Sequence, residues 1–456
     1  MATDLLGNPL VDSDPALIAG LNDFIGGFLA YQTRAESILT TAAARPAAVM
    51  AQVYAGWLWM FLEAPEAAAK ARPFLNAARA ALQPGSTPAH AREREQVALL
   101  ADWVAGDTAA VEQRAARLTT QWPHDLAVVK LAQYLAFNRG DAPAMLRGVL
   151  AVLPANAGNA HALGMAAFAY EQCHRLDEAE AAARRALSLQ RHEPWAQHAL
   201  AHVLLTRGRI DEGLRFLEAQ RARWSGLNSF MLTHLWWHLA LFYLARGRYA
   251  EALALYDEQV WGVSPGYSQD QAGAVQLLAR LEWVGVDVGA RWSQLTKHLA
   301  ARAEDTTEPF LSLLYLYGLA RAGRPEADRL LAAIAARAES ATGEARTAWH
   351  DAALPTAQGL VALARGDAAG ADAALSQGLP RLVRIGGSHA QRDLFAQLQI
   401  DAATRAGQDR DALQALELRR LADPHDVPVN ARLAALYERQ GLSGLAADAR
   451  AIVAAA

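Results

Sequence analysis

Glycine recurs along this chain at one kind of place, just after an apolar helical stretch and just before another. The segments Gly208-Arg209-Ile210-Asp211-Glu212, Gly247-Arg248-Tyr249-Ala250-Glu251 and Gly323-Arg324-Pro325-Glu326-Ala327 share this setting. Extended in register, the series runs Gly106, Gly140, His174, Gly208, Gly247, Gly285, Gly323, Gly366, Gly407 and Gly441. Glycine reaches the left-handed backbone conformation that a sharp helix reversal needs, so each position reads as the turn inside a helix pair. His174 is a substituted turn. Ten such turns predict an all-α α-solenoid of about ten helix pairs stacked into a curved superhelix.

Successive turns lie 34, 34, 34, 39, 38, 38, 43, 41 and 34 residues apart. Thirty-four is the length of a tetratricopeptide unit, and the longer intervals read as the same helix pair with extended loops. Within a unit the first helix, such as 195–206, ends at the turn. The second, such as 176–189, carries Ala179, Ala183 and Ala186 on one stripe where a neighbouring helix can approach closely. Pro123, Pro154 and Pro194 fall near unit boundaries, where proline ends or begins a helix. Only 18 prolines and 32 glycines punctuate 456 residues. Alternating strand patterns are absent. Residues 1–90 are less regular and are expected to form a helical N-terminal cap, with 52–62 and 65–82 as a degenerate first pair. Residues 91–456 are expected to form one continuous array.

The overall balance limits function. A formal charge of −4 argues against a nucleic-acid surface. No run of about twenty apolar residues is present, so no membrane span is expected. The first residues carry acids and no basic n-region, so no leader is expected. Cys173 is the single cysteine, which excludes an internal disulfide and fits a reducing cytoplasm.

The first helices of stacked pairs line the inner, concave face, which is where repeat proteins bind partners. With each turn taken as the fifteenth place of its unit, the resemblance to tetratricopeptide repeats implies that His161, Phe168 and Glu171, then Trp195, His198 and His202, then His234 and Trp237 face it, with His238 one turn on from His234. Seven of 13 histidines lie between His161 and His238. Two pairs, His198/His202 and His234/His238, stand one helical turn apart, against roughly 0.4 expected at random for residues that share a helix face. These imidazoles could tie helix seams together or line a pocket for a small molecule, peptide or protein. They could also hold a divalent metal with Glu171 as an oxygen ligand, or act as acid and base in an enzyme. Neither pair has the glutamate of HExxH, so a metalloprotease is not indicated. Of the adjacent Trp236 and Trp237, one is expected between helices and the other beside the inner face. Cys173 reads as a structural thiol. Self-association into a homo-oligomer is compatible with this architecture. No phosphate loop, dinucleotide fingerprint or nucleophile elbow is present.

The stretch from His198-Ala199-Leu200-Ala201-His202 through Gly208-Arg209-Ile210-Asp211-Glu212 to His234-Leu235-Trp236-Trp237-His238 resembles the tetratricopeptide repeat protein 38 family. So do Gly285-Val286-Asp287-Val288-Gly289 with Arg291-Trp292, and the late run Gly386-Gly387-Ser388-His389-Ala390-Gln391-Arg392-Asp393. The resemblance covers roughly residues 90–440. It implies a cytoplasmic tetratricopeptide-like array, with no biochemical activity defined by the family name. Where the family tends to carry an aspartate and a histidine, this chain has Ser312 and Leu314, so a family pocket completed by those groups would be altered here. In the late run, Gly386-Gly387 allows an unusual turn and Ser388 can cap the following helix. Arg392 and His389 either stabilise that cap or recognise an anionic ligand facing the central histidines.

Overall fold

The computed structural model describes residues 2–456. Among them, 25 α-helices are accompanied by one short antiparallel hairpin, Ala2–Thr3 with Pro9–Leu10. That hairpin lies outside the purely helical expectation. Asp4 holds its turn by accepting from the Leu6 and Asn8 backbone N–H groups at 2.9 and 3.0 Å.

All ten expected turn positions adopt the left-handed conformation, with φ from 64° to 86° at Gly106, Gly208, Gly285, Gly323, Gly366, Gly407 and their counterparts, and 56° at His174. The pairs flanking them include Leu126–Asn138 with Ala142–Val152, Ala160–Gln172 with Leu176–Leu189, and Pro309–Arg321 with Glu326–Ser340. Ala179, Ala183 and Ala186 are fully buried, as the small-residue stripe requires. The longer intervals hold extra turns rather than extra helix pairs. The 43-residue interval takes up a π-helical segment, Thr347–Ala353. The irregular N-terminal region is itself helical: Pro15–Leu29, Ile38–Ala44, Val49–Met60 and Ala67–Ala81. The protein is an all-α helical-repeat protein of tetratricopeptide-like helix pairs.

The chain divides into two compact units. The first comprises the chain up to Phe137, Asp141–Leu200 and Ser225–Asn228; the second comprises Asn138–Gly140, Ala201–Trp224 and Ser229–Ala456.

In the first unit, the N-terminal hairpin is pinned to the helix Pro88–Val104 by a buried charge cluster. The guanidinium of Arg92 lies 3.2 Å from Asp4 Oδ2 and 2.8 Å from Asp125 Oδ2, and Gln96 donates to the same Asp125 oxygen at 2.9 Å. Arg92 is completely buried, so these carboxylates compensate a charge that water cannot reach.

In the second unit, first and second helices are buried differently. A second helix such as Glu326–Ser340 buries only Ala327, Leu330, Ile334 and Ala338, a single stripe. First helices such as Ser268–Trp283 and Pro309–Arg321 are buried nearly all round, because each packs against neighbours on two sides. The cause is closure of the unit on itself. Ser229–Ala245 touches Val427–Arg439, and Ser268–Trp283 touches His389–Arg405. Arg246 Nη1 lies 2.8 Å from Asp423 Oδ2, across 177 residues of sequence. A Cβ at Gly208 would meet the backbone of Ala422 and Asp423, and one at Gly247 would meet Val427. The inner face expected to be open for a partner is, in this unit, occupied by the protein's own first helices.

Candidate metal centre

The helix Ser229–Ala245 is apolar except for Ser229, Thr233 and the two histidines, and the helical repeat puts His234 and His238 on one side of it. His202 lies opposite, on the helix Pro194–Thr206. The His202 and His238 rings are 4.5 Å apart at 61°, and those of His234 and His238 are 4.7 Å apart at 86°. His198 stands one turn before His202 on the same helix. Within the second unit His202, His234 and His238 each offer a ring nitrogen, and these nitrogens lie within 4.8 Å of one another. Glu171, expected as a possible oxygen ligand, is fully buried on the helix Ala160–Gln172 of the first unit.

Burial is deep but uneven. His238 is 0% exposed, His198 and His202 are 1% exposed, and His234 is 9% exposed. Burial, reinforced by the neighbouring His202, lowers the His234 pKa to about 3. It is therefore neutral at physiological pH, the form in which imidazole has a lone pair to give. His234 is held between two rings of its own helix: Phe230 stacks on it at 5.3 Å and 25°, and Trp237 at 5.3 Å and 7°. Trp237, expected to border an open face, has no exposed surface and forms a wall of the centre instead. Trp236 turns the other way and meets Trp224 edge-on at 4.8 Å. This is the divergence expected of consecutive helical residues.

Sequence reasoning missed Arg280. Its guanidinium lies over the Trp237 ring at 5.3 Å and donates to Ala390 O at 2.6 Å. Burial lowers its pKa to about 10, against the favourable field of Asp393. A lone arginine inside Leu277-Leu278-Ala279-Arg280-Leu281 carries no motif. The only available signal was a charge in an otherwise apolar helical run. Through it the late glycine-glycine segment is joined to the aromatic wall of His234, within one unit.

That late segment is built largely as expected. Gly386 and Gly387 have φ of 81° and 76°, and Ser388 caps His389–Arg405 in a reciprocal arrangement with Gln391. Arg392 donates to the carbonyls of Gly386 and Gly387, and its other terminal nitrogen is 3.4 Å from His389 Nδ1. Those bonds brace the turn. Asp393 is held in a two-pronged pair by Arg419 at 2.6 and 2.7 Å, which keeps its carboxyl below the usual range despite burial. Ser312 Oγ donates to the backbone oxygens of Asp305 and Glu308, and Leu314 is fully buried. Neither side chain is available to a ligand.

The remaining residues expected to bind a ligand, His161, Phe168 and Trp195, come together in the first unit. The Trp195 indole stacks on His198 at 4.4 Å and on Tyr31 at 5.1 Å, and Phe168 meets it edge-on at 4.7 Å. His161 Nδ1 is 3.1 Å from Glu193, a buried carboxylate that also caps the Ala196 N–H. Lys130 was not foreseen. Its Nζ donates to Phe28 O, completing the end of the helix Pro15–Leu29, and lies 3.1 Å from the Tyr31 ring centroid. Burial pushes its pKa well below the ordinary lysine range. Tyr31 holds φ at 54°, a conformation no sequence pattern announces for a tyrosine. Burial raises the Cys173 thiol pKa, consistent with an unreactive sulfur.

No family model matches the chain. Among solved structures, human IFIT1 as a dimer with PPP-AAAA is similar over 99% of this chain and 96% of that one, at 11% identity and a TM-score of 0.43. The same human protein with m7Gppp-AAAA is similar over 98% and 96%, at 11% identity and a TM-score of 0.45. The Cut9-Hcn1 hetero-tetramer of the APC/C is similar over 96% and 86%, at 14% identity and a TM-score of 0.30.

Proposed function

We propose that this helical-repeat protein binds a transition-metal ion through His202, His234 and His238 of the second unit. The observation that carries the reading is the convergence, within the second unit, of the ring nitrogens of His202, His234 and His238 within 4.8 Å. Imidazole donors suit zinc, copper, nickel, iron or cobalt. Calcium and magnesium require oxygen ligands that this set lacks. Filling of the second unit's inner face by its own helices favours an ion or small molecule over a peptide as the ligand here. The resemblance to the tetratricopeptide repeat protein 38 family belongs to the same proposal, since the paired-histidine segments that supply these ligands are among its most specific marks. Among the described residues no helix is long and apolar enough to cross a membrane.

Elemental analysis tests the reading. The purified chain, exposed to Zn(II) or Co(II) and then dialysed, is expected to retain about one ion. His202→Ala and His238→Ala should lose it while keeping the wild-type helical circular dichroism. Absence of metal in the native protein, together with no retention of either ion, would overturn the assignment.

A further inference from the structure

The first unit holds a basic residue whose type the fold does not explain. Of the 43 cationic residues in this chain three are lysines, Lys70, Lys130 and Lys297. Lys70 and Lys297 are exposed, whereas Lys130 is half-buried on the helix Leu126–Asn138. Its Nζ is held by the Phe28 carbonyl and by ring faces rather than by a carboxylate. The Tyr31 ring centroid lies 3.1 Å from Nζ and that of Phe28 4.6 Å. An arginine could also donate to a helix-end carbonyl and stack on a ring, and arginine takes the other deeply buried cationic positions, Arg92 and Arg280. What lysine alone offers is an amine that gives up its proton and becomes a nucleophile.

Rings continue outward from the amine. Tyr31 stacks on Trp195 at 5.1 Å, Phe28 meets Phe61 at 5.2 Å, and Phe61 meets Tyr134 at 4.8 Å. Tyr134 stands one helical turn after Lys130 and shares its face. All five rings are half-buried, so each keeps some surface open to solvent. Tyr31 holds its left-handed backbone where the Asn228 N–H donates to its carbonyl at 2.6 Å. Strain of that kind persists only where the surroundings impose it. We propose that Lys130 is a reactive amine that condenses with a small aromatic aldehyde seated against these rings. The site lies within the first unit and is independent of the metal reading. A neutral amine has two N–H donors and one lone pair. The Phe28 carbonyl and the Tyr31 face engage the donors, with Leu29 O at 3.4 Å, and the lone pair is left for an electrophile. It attacks the aldehyde carbon, a C–N bond forms, and both amine hydrogens leave with the carbonyl oxygen as water. Protonation of the resulting imine restores one N–H to the Phe28 carbonyl. Desolvation, against the opposing field of Glu193, holds the Lys130 pKa well below the ordinary range and enlarges the neutral fraction.

The test treats the full chain at neutral pH with benzaldehyde, traps the imine with sodium cyanoborohydride and locates the adduct by peptide mass mapping. Lys70 and Lys297 are internal references, since an exposed lysine is neutral in only about one molecule in 2,500 at pH 7. Lys130 should be labelled about tenfold faster than either, or more, because its neutral fraction is larger. In urea the three should react alike. Lys130→Arg, which keeps a donor for the Phe28 carbonyl, should lose the adduct with its helical circular dichroism intact. The comparison of native and urea-treated wild type reads the same property without a variant. Propanal, which has no ring, should show a weaker preference for Lys130, and Tyr134→Leu should bring benzaldehyde down toward it. Labelling of Lys130 no faster than Lys70 and Lys297 in the native chain overturns the reactive amine. Equal preference for propanal and benzaldehyde overturns the aromatic class of the ligand.

Discussion

Substitution of Gly208 by alanine tests whether the second unit closes on itself. Gly208 and Gly407 both hold left-handed turns, at φ 65° and 77°. An alanine at either pays the same backbone strain, about 1–2 kcal/mol. They differ in surroundings. A Cβ at Gly407 meets nothing within 4 Å, whereas one at Gly208 is driven into the carbonyl of Ala422, with the carbonyl carbon 3.0 Å and Asp423 Cα 3.1 Å away. That backbone cannot rotate aside as a side chain would, so the segment carrying Asp423 must shift. The shift breaks the Arg246–Asp423 pair, whose side chains are only 16% and 11% exposed. A charge-assisted hydrogen bond in such a setting contributes about 1.5–3 kcal/mol. Gly208→Ala should therefore cost about 1.5–3 kcal/mol more than Gly407→Ala in urea denaturation followed by tryptophan fluorescence. Amide exchange should speed up around both 208 and 422–429 in the first variant alone. Arg246→Ala should add little to Gly208→Ala, because both remove the same contact. Equal losses for the two glycine variants, with Arg246→Ala fully additive to each, would refute the closure.

Two further outcomes follow from buried charges. Asp125→Asn leaves the fully buried Arg92 with Asp4 as its only close anion, and should cost about 3–5 kcal/mol; early protease cleavage near the N-terminal hairpin would accompany it, and wild-type stability would count against the pinning role. Asp426 is a half-buried helix cap whose carboxyl is raised by desolvation to about 7, against an ordinary value of 3.8. The native state thus keeps a proton that the unfolded state has lost, so its contribution to stability is full below pH 3.8 and falls away as pH rises to about 7. Asp426→Asn, which still caps, should flatten that decline in denaturation midpoints between pH 4 and pH 7; an unchanged pH profile would show that Asp426 is not its source.

Local physics wrote the repeat into the chain plainly. Left-handed turns select glycine, and all ten positions picked out by spacing hold that conformation. The histidine pairs were legible for a similar reason, since residues one turn apart share a helix face whatever else the protein does. The orientation of Trp237 was not. Ser229–Ala245 is apolar nearly all round, so it has no polar stripe from which an exposed side could be read. Arg280, Lys130 and Glu193 were invisible because each acts through partners on other helices. Arg280 reaches Ala390 across 110 residues and Lys130 reaches Phe28 across 102. The contacts that close the second unit join segments whose own sequences are ordinary repeat turns. Nothing local distinguishes the turn at Gly208, which lies against Ala422, from the turn at Gly407, which faces open space.

Self-contact also bears on how such a chain can change over generations. An open array of stacked pairs tolerates gain or loss of a whole repeat, because each pair sees only its neighbours. In the second unit, deleting one pair between Gly247 and Ala422 would carry Asp423 about a repeat's width away from Arg246. It would also detach the glycine-glycine turn from Arg280 and so unseat the wall behind His234. Duplication would do the same in the opposite sense. The number of repeats is thereby locked to the chemistry of the histidines, and variation in length is confined to the loops, where the intervals of 38 to 43 residues already show it.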